Sequence, residues 1–513
     1  MKNVCHDGTP PTGGAFHAAV DIGASSGRVL VGALEGGCLS LREIYRFDNV
    51  QVRRDGHDCW DLELLRSEVL RGLAACADAG MVPTTVAVDT WAVDYVLLDG
   101  ADGQVGDAVS YRDARTQGIY AVADALVDPA EAYRRTGIQR QTFNTAFQLV
   151  ALQRDDPDQL ERAERLLMIP DWLVWQLTGV KVLEYTNAST TGLLGMDGRW
   201  DEDLMASYGI PGRLFSQPAP AGTVVGPLSE DVAREVGFQT QVVLPASHDT
   251  GSAFVSVPAP DDGAVYLSSG TWSLIGLEVR DPLATPECRA CNFTNEGGYG
   301  GRFRFLRNVM GLWMIQSIRR ELNGVEYTAG KRRGNVGGPC TLRDAGEGPY
   351  DFSTLADLAR EAEPFEARVD VDSPAFLSPP SMIDAVREAC RDAGEPVPET
   401  VGQLMRVIYL SLASAYAAAV DDLRRVTGRR LTSICITGGG CQDAYLNQIV
   451  ADVCALPVLA GPVEGTGIGN ILVQLMAMGE VGSLAEARAL VARSFPVVRY
   501  VPRHRAALEE LSH

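Results

Sequence analysis

The sequence predicts an α/β protein of two domains, and three observations lead to this prediction. Short apolar runs rich in β-branched residues alternate with helical stretches, as at 62–79 followed by 85–88, which is the pattern of α/β folds. The chain has 513 residues, more than the roughly 250 to 300 that one hydrophobic core accommodates. A strand, a turn of small residues and a second strand at 18–34 recur at 264–277. We therefore expect two related domains that each open with a hairpin.

The remaining elements follow in chain order. Their patterns predict a helix at 62–79, strands at 85–88 and 95–98, helices at 145–154 and 171–177, a loop at 195–201, a strand at 241–245, a helix at 403–426, a strand at 433–437 and a helix from Ala444. Prolines and acidic residues at 256–263 favour a boundary there. This gives a flexible tail at 1–16, a first domain at 17–257, and a second at 258–513 with an irregular excursion near 323–375.

Composition limits the classes of partner. A net charge of -21 and an isoelectric point near 4.8 disfavour nucleic acid. The longest apolar stretch, 407–420, is shorter than the roughly 20 residues that a membrane span needs, so we expect a buried helix. The first 16 residues lack the apolar segment of a signal peptide, and eleven cysteines without framework spacing are typical of reduced thiols, so we expect a cytoplasmic protein.

Cys288 and Cys291 form a lone C-x-x-C, for which core or loop thiols are the preferred interpretation over zinc or redox chemistry.

Two turns of small residues could hold phosphate. Residues 21–28 read Asp-Ile-Gly-Ala-Ser-Ser-Gly-Arg, and residues 268–272 read Ser-Ser-Gly-Thr-Trp. Backbone N–H groups and serine hydroxyls in such turns suit phosphate oxygens, although either segment is also a plain hairpin turn. Because the two turns recur in the two halves, they are candidates for gripping one nucleotide together. No Walker A motif is present in the sequence, since Arg332 follows Lys331 where Ser or Thr is required.

Two further segments carry candidate chemistry. Gly438-Gly-Gly-Cys-Gln442 follows a predicted strand, and its glycines would let a flat ligand such as a purine approach the backbone; a crowded turn is the alternative. Ser247-His-Asp-Thr250 lies between a strand and a helix. There Asp249 is either a helix N-cap or a general base for a sugar hydroxyl.

These segments together resemble a known family. Val20-Asp-Ile-Gly-Ala-Ser-Ser-Gly-Arg28, Asp89-Thr-Trp-Ala-Val-Asp94, Ala246-Ser-His-Asp-Thr250, Thr294-Asn-Glu-Gly-Gly298 and Gly438-Gly-Gly-Cys-Gln442 are similar to motifs of the sugar kinases of the glycerol kinase and xylulokinase superfamily, and within it of the rhamnulokinase family. The resemblance runs nearly end to end. It implies two actin-like (ribonuclease-H-like) domains with an interdomain cleft, ATP and Mg²⁺, and phosphoryl transfer to O1 of L-rhamnulose.

The resemblance also implies roles for individual residues. By position, Asp249 resembles the proton acceptor, and Ala92, His248, Thr250 and Asn308 resemble the sugar contacts. The ATP site resembles a set made of Ala24, Ser25, Ser26, Gly27, Arg28, Thr271, Gln316 and Gly439, and Asp21 is similar to the acidic residue near the metal. Ala92 departs from the family, which usually has glycine there. Alternatives are a kinase for L-fuculose, L-ribulose or D-xylulose, and a non-catalytic nucleotide-dependent binding protein. The sequence carries no signal of oligomeric state.

Overall fold

The computed structural model describes residues 14–328, 331–334, 342–345, 349–377 and 379–503. Residues 1–13 of the predicted tail lie outside the described residues, and Phe16, placed at the end of that tail, instead begins the first strand.

The strands are, in chain order, β1 (Phe16–Ile22), β2 (Ser26–Glu35), β3 (Cys38–Asp48), β4 (Gln51–Arg54), β5 (His57–Trp60), β6 (Pro83–Thr90), β7 (Tyr95–Leu98), β8 (Arg165–Met168), β9 (Val224–Pro227), β10 (Gln241–Val243), β11 (Ala264–Ser269), β12 (Trp272–Val279), β13 (Thr294–Gly297), β14 (Phe303–Met310), β15 (Val325–Thr328), β16 (Lys331–Gly334), β17 (Ser433–Thr437), β18 (Val458–Ala460) and β19 (Val498–Tyr500).

The α-helices are α1 (Leu62–Asp78), α2 (Ile119–Leu126), α3 (Pro129–Thr136), α4 (Thr145–Asp155), α5 (Pro157–Arg162), α6 (Ile169–Thr178), α7 (Tyr185–Ala188), α8 (Glu202–Ser207), α9 (Glu230–Val236), α10 (Asp249–Val255), α11 (Pro286–Ala290), α12 (Trp313–Leu322), α13 (Phe352–Glu361), α14 (Met382–Asp392), α15 (Val401–Thr427), α16 (Ala444–Cys454), α17 (Gly465–Ala477) and α18 (Leu484–Ser494).

Two mixed sheets form the framework, and they repeat one topology. The first has the order β3-β2-β1-β6-β10-β9, and the second has the order β13-β14-β12-β11-β17-β18-β19. In the first, β1 pairs antiparallel with β2 and parallel with β6; in the second, β11 pairs antiparallel with β12 and parallel with β17. The predicted duplication of a hairpin followed by parallel strands is confirmed, and so is the α/β class.

The first sheet is covered by helices on both faces. Because side chains alternate along a strand, Val20 and Ile22 of β1 join a core that contains the apolar side of α1, while Ala19 joins a different core with Ile468 and Ile471 of α17. Asp61 begins α1 by accepting a hydrogen bond from the backbone N–H of Leu64. The result is a helix–sheet–helix sandwich with the carboxyl ends of β1 and β6 at one edge.

Contacts divide the chain into two compact units that do not follow the chain continuously. Of the described residues, unit 1 comprises 14–258, 278–306 and 465–495, and unit 2 comprises those that lie within 259–277, 307–464 and 496–503. The first division falls within the predicted boundary segment at 256–263. Two segments of the predicted second domain group with unit 1, because α17 and α18 pack on its sheet, and because β13 and α11 contact α7 and α3.

The buried helix predicted at 407–420 is confirmed, whereas the prediction of an irregular segment near 323–375 needs correction. The apolar stretch 407–420 belongs to α15, whose 27 residues are long and apolar enough to cross a membrane; yet 72% of its most apolar window is buried, where it packs against α13 and α16, as expected for a core helix. The excursion near 323–375 is not wholly irregular. It contains the hairpin β15–β16 and α13, which Asp351 caps and whose Leu355 and Ala359 are buried, and residues 329–330, 335–341 and 346–348 lie outside the described residues.

Candidate active site

Two carboxyl groups lie side by side at the carboxyl edge of the first sheet. Asp21 near the end of β1 and Asp89 near the end of β6 are register partners in the parallel pairing of these strands. Asp21 is paired with Arg28 of β2, whose Nε and Nη2 donate to its Oδ2 at 3.0 and 2.8 Å. Asp89 is fully buried and its Oδ1 has no hydrogen-bond partner. Burial first, and then the charges of Asp21 and Asp249, raise the pKa of Asp89 well above its usual range.

The turn between β1 and β2 is tied to the following strand. Gly23 N–H donates to Ser26 O at 2.9 Å, and Asn49 donates to Ser25 O and to Gly23 O. Position 27 has room only for glycine, because a Cβ there would lie 2.2 Å from the ring of Phe47. The turn and Ser25 at its exposed apex are thus held in a defined shape.

A chain of polar side chains runs from Asp89 through the interior of unit 1. Asn470 of α17 donates to Asp89 Oδ2 at 2.6 Å, and Gln474 donates to Asn470 Oδ1 at 2.7 Å. Thr85 donates to Gln474 Oε1 at 2.5 Å, and His17 Nδ1 lies 2.7 Å from Thr85 Oγ1. This chain fixes one oxygen of Asp89 and leaves the other unpartnered.

The Ser247–Thr250 segment places a second acidic group near this edge. Asp249 is the first residue of α10 and His248 precedes it, so Asp249 is not the N-cap, the alternative that its position in the sequence had left open. Its Oδ1 accepts from the N–H of Thr250 at 2.6 Å, and 29% of its side chain is exposed. Loss of hydration raises the pKa of Asp249.

A buried ion pair between Arg304 and Glu296 contacts the Ser247–Thr250 segment. Arg304 of β14 and Glu296 of β13 are opposite each other in the antiparallel register, and Arg304 Nη2 lies 3.0 Å from Glu296 Oε2. Arg304 donates from Nη1 to Thr250 Oγ1 at 2.6 Å, and its Nη2 lies 3.0 Å from His248 Nδ1. The guanidinium therefore contacts two of the predicted sugar-contact residues.

Glu184 holds the same segment from its other side. Its Oε2 accepts from the N–H and the hydroxyl of Ser247 at 3.1 and 2.7 Å, and from the N–H and the hydroxyl of Thr186 at 2.9 and 2.6 Å. Thr90 N–H also donates to Ser247 O at 2.9 Å, which joins the segment to the end of β6. The backbone before Asp249 is thus fixed on both sides.

Ala92 lies in a constrained loop after β6. The next residue, Val93, has φ of 68°, a left-handed conformation that is costly for a β-branched residue. Thr145 Oγ1 donates to Val93 O at 2.7 Å, and Asp94 accepts from the indole N–H groups of Trp60 and Trp91 at 2.6 and 3.0 Å. These bonds hold the loop, and the half-buried Ala92 methyl, in place.

Unit 2 carries its own pair of turns at the carboxyl ends of adjacent parallel strands. Ser268 of β11 and Thr437 of β17 are register partners, and each is followed by a glycine-containing turn. Gly438 has φ of 83°, and a Cβ on Gly440 would lie 2.0 Å from Ser269 Oγ, so these glycines are required for close packing. A Cβ on the exposed Gly439 would meet nothing within 4 Å.

The start of α12 joins the first of these turns. Leu312 N–H donates to Gly270 O at 2.9 Å and Trp313 N–H to Thr271 O at 3.2 Å. Gln316 follows on the same helix, where it is half-buried.

The predicted site residues therefore fall into two groups. Unit 1 brings together Asp21, the Ala24–Arg28 turn, Ala92 and the His248–Thr250 segment around the ends of β1 and β6. In unit 2, Thr271 and Gly439 follow neighbouring strands, Gln316 lies on the adjoining helix, and Asn308 lies on β14. Cys288 is a buried free thiol of α11, and Cys291 follows that helix at a half-buried position.

Sequence reasoning missed several residues that shape the site. Asp89, Glu296, Arg304 and Asn470 were not among the predicted site residues, although the first two lie in quoted motifs. A charged residue inside an apolar strand pattern, as in the Phe-Arg-Phe of β14, was the available signal. Only the fold shows which groups these charges meet.

Comparison with known proteins assigns the family. The FGGY family of carbohydrate kinases matches with its N-terminal domain at residues 16–256 and with its C-terminal domain at residues 265–478. The rhamnulokinase of Halalkalibacterium halodurans is 42% identical over 96% of this chain and 99% of its own, and that of Oceanobacillus iheyensis is 40% identical over 94% and 97%.

Solved structures with the same fold are more distant in sequence. A gluconate kinase from Lactobacillus acidophilus has a TM-score of 0.76 at 16% identity and covers 98% of this chain and 96% of its own. A Plasmodium falciparum glycerol kinase structure with ADP has a TM-score of 0.73 at 14% identity and covers 97% and 96%. With both domain models matched and near-full-length relatives at about 40% identity, the chain belongs to the FGGY family of carbohydrate kinases.

Proposed function

We propose that this carbohydrate kinase transfers the γ-phosphoryl group of ATP to O1 of L-rhamnulose, giving L-rhamnulose 1-phosphate and ADP, a step of rhamnose breakdown. The observation that carries the proposal is the environment of Asp249. Its carboxyl group is held by the Thr250 N–H at the start of α10, with 29% of the side chain open to a ligand and its pKa raised. The choice of sugar is supported by the name that the near-full-length relatives share.

Asp249 is the proposed general base. A carboxylate within reach of the attacking hydroxyl accepts its proton as the oxygen approaches phosphorus. The raised pKa of Asp249 makes its carboxylate a better proton acceptor than an ordinary aspartate.

The sugar is proposed to lie against Ala92, His248 and Thr250 of unit 1, with Asn308 of unit 2 as a further contact. Polar groups that are already fixed by the protein discriminate between hydroxyl patterns, since a poorly matched sugar would leave them unpaired. Thr250 and His248 meet that condition through Arg304.

ATP is proposed to contact the Ala24–Arg28 turn of unit 1, and Thr271, Gln316 and Gly439 of unit 2. The segment Ala24–Arg28 runs from the β1–β2 turn into the start of β2 and is rich in small residues, so that a phosphate can approach its backbone closely. Open space at Gly439 suits a flat ring that lies on the backbone. The proposed N-terminal and C-terminal kinase domains are residues 17–257 and 258–513, of which the segments 278–306 and 465–495 group with unit 1. The enzyme is proposed to act in the cytoplasm, which supplies its ATP.

Mg²⁺ is the proposed metal, and the acidic edge of unit 1 fits it. Asp21 and the unpartnered Oδ1 of Asp89 are hard oxygen donors, and a cation there would offset the burial and the repulsion that together raise the pKa of Asp89. Among the described residues no group of three or more His, Cys, Asp or Glu is arranged to hold a metal ion, which agrees with an ion bound largely through nucleotide phosphates. When bound, the ion would neutralise charge that develops on the transferred group.

Steady-state kinetics over a panel of sugars tests the proposal. We would measure kcat/KM by coupled ADP detection for L-rhamnulose, L-fuculose, L-ribulose, D-xylulose and glycerol. A preference for L-rhamnulose of at least about tenfold supports the assignment, whereas another preferred sugar keeps the kinase and changes its substrate. Absence of ADP release with all five would favour the binding-protein alternative.

A further inference from the structure

We propose that Arg304, held in place by Glu296, is a positioning residue that makes the Thr250 hydroxyl a hydrogen-bond donor to the sugar. This inference rests on the proposed function in one respect, namely that the Ser247–Thr250 segment faces the sugar. It goes further in assigning the direction of one hydrogen bond and the tautomer of His248.

Arg304 is fixed on every side of its guanidinium. Its side chain is fully buried, Nε donates to Gly297 O at 2.9 Å, and Nη2 lies 3.0 Å from Glu296 Oε2. The ion pair bridges the register partners of the β13–β14 hairpin, so neither residue can move without the strand. A buried arginine with these partners is a rigid donor and can accept no hydrogen bond.

The N–H donors of Arg304 determine which ring nitrogen of His248 carries the proton. Arg304 Nη2 is 3.0 Å from His248 Nδ1, closer than the 3.3 Å that separates Glu296 Oε2 from the same nitrogen, so Nδ1 accepts from the guanidinium and the ring proton is on Nε2. His248 Nε2 lies 3.0 Å from Thr250 Oγ1, closer than the 3.4 Å to Asp249 Oδ1, and therefore donates to the threonine.

Counting the lone pairs of the Thr250 hydroxyl oxygen then shows whether this hydroxyl donates or accepts a hydrogen bond toward the sugar. The hydroxyl oxygen has two lone pairs and one proton. Arg304 Nη1, at 2.6 Å, and His248 Nε2, at 3.0 Å, occupy both lone pairs. The hydroxyl proton is the remaining group, and Thr250 is partly exposed, so the proton points to a ligand oxygen. The segment would thus recognise an acceptor oxygen of the sugar beside the base Asp249.

The test uses variants that keep the buried charge balanced. Arg304→Gln alone leaves the Glu296 carboxylate unpaired in the interior, so the main variant is the double change Arg304→Gln/Glu296→Gln. Thr250→Val removes the hydroxyl, and Thr250→Ser restores it on a similar side chain. The matched control is Arg302→Gln, which removes another guanidinium that is paired with an acid, Glu278, but contacts none of the predicted site residues.

For whichever sugar the wild-type enzyme phosphorylates, we expect the double variant and Thr250→Val to raise the KM for sugar by about tenfold or more, with the KM for ATP within about twofold, as loss of one buried hydrogen bond predicts. Thr250→Ser should recover most of the sugar affinity that Thr250→Val loses, and Arg302→Gln should leave both KM values near wild type. An unchanged KM for sugar in Thr250→Val, or in a folded double variant, overturns the inference.

A second measurement needs no substrate and no folded double variant. The ¹⁵N spectrum of histidine-labelled wild-type protein, with His248 assigned by its loss in His248→Asn, should show Nε2 protonated and Nδ1 bare near pH 7.5. Proton on Nδ1, or a charged ring, would contradict the assignment even if the enzyme is active. Failure of the proposed function would show instead as a wild-type enzyme that phosphorylates none of the sugars.

Discussion

Asn470 of α17 donates its side-chain amide to Asp89 of β6 at 2.6 Å, a bond that joins the two ends of unit 1 across 381 positions of sequence. It is the last link of the polar chain that reaches His17 through Gln474 and Thr85. The bond fixes Asp89 Oδ2 and leaves Oδ1 unpartnered in the interior. A buried carboxyl group with one oxygen that lacks a hydrogen-bond partner lowers the stability of the fold. Such a group is typical of a site where the free oxygen binds a ligand.

Replacing Asp89 by Asn should therefore stabilise the protein and weaken catalysis. The folded-state pKa of Asp89 is raised. Below the unfolded pKa both states hold the proton; as pH rises past that value only the folded state keeps it, so stability falls until the folded pKa is passed. Asp89→Asn removes this loss, and its thermal midpoint should exceed that of wild type by more at pH 8 than at pH 4.5. We expect kcat/KM to fall at least about tenfold, with a raised Mg²⁺ requirement.

The control is Asp231→Asn, which removes a carboxylate whose side chain is 90% exposed. It should leave the pH dependence of the midpoint and the Mg²⁺ titration unchanged. If Asp89→Asn melts below wild type at pH 8, the buried carboxyl is a net support of the fold, and the reasoning from its environment is wrong.

The sequence could predict features that depend on neighbouring residues, but not features that depend on contacts between residues far apart in the chain. The 438–440 turn and the strand 433–437 follow from local residue types, and both were predicted correctly. The return of α17 to unit 1 could not be predicted, because Asn470 and Gln474 look like ordinary polar residues of an apolar helix until β1 and β6 lie beside them. Arg304 escaped notice for the same reason, since its partners at 248, 250 and 296 are separated from it in sequence.

Asp249→Asn tests the proposed base. We expect kcat to fall by on the order of 10²-fold or more, with ATP affinity nearly intact, because an amide cannot accept the hydroxyl proton. In the wild type, kcat/KM should drop as pH falls through the raised pKa of Asp249, since the protonated carboxyl is no longer a base.

Asp203→Asn, at a side chain that is 91% exposed, is the control for the loss of one charge and should be fully active. Near-normal turnover by Asp249→Asn, measured by coupled ADP release and confirmed by direct detection of the sugar phosphate, would remove Asp249 from the mechanism.

Ala92→Gly tests whether the added methyl narrows the sugar pocket. If Ala92 lines the sugar, removal of the methyl should favour the larger six-carbon L-rhamnulose over the five-carbon L-ribulose, and shift their ratio of kcat/KM by about three- to tenfold. Greater backbone freedom should cost about 0.5 to 1 kcal/mol of stability, partly offset by the bonds to Val93 and Asp94. The same change at the exposed Ala101 is the control. A ratio that does not move would place the sugar elsewhere.

Gly439 and Gly440 give two neighbouring substitutions with opposite structural consequences. A Cβ at Gly439 enters open space, so Gly439→Ala should keep the thermal midpoint of the wild type. At Gly440 the Cβ would meet Ser269 Oγ at 2.0 Å and Cβ at 2.6 Å, so Gly440→Ala must displace the turn from β11 and should lower stability by about 1 to 3 kcal/mol.

Because Gly439→Ala should leave the fold intact, its effect on the KM for ATP tests whether the nucleotide contacts this turn. If the adenine ring lies on the backbone at Gly439, the methyl of Gly439→Ala occupies the space of the ring, and the KM for ATP should rise by about tenfold or more while the KM for sugar changes little. Gly212→Ala, where a Cβ meets only the end of Met205 at 3.9 Å, is the control in unit 1. A Gly439→Ala enzyme with wild-type KM for ATP and wild-type stability would show that the nucleotide does not contact this turn, because no structural change is available to mask the effect.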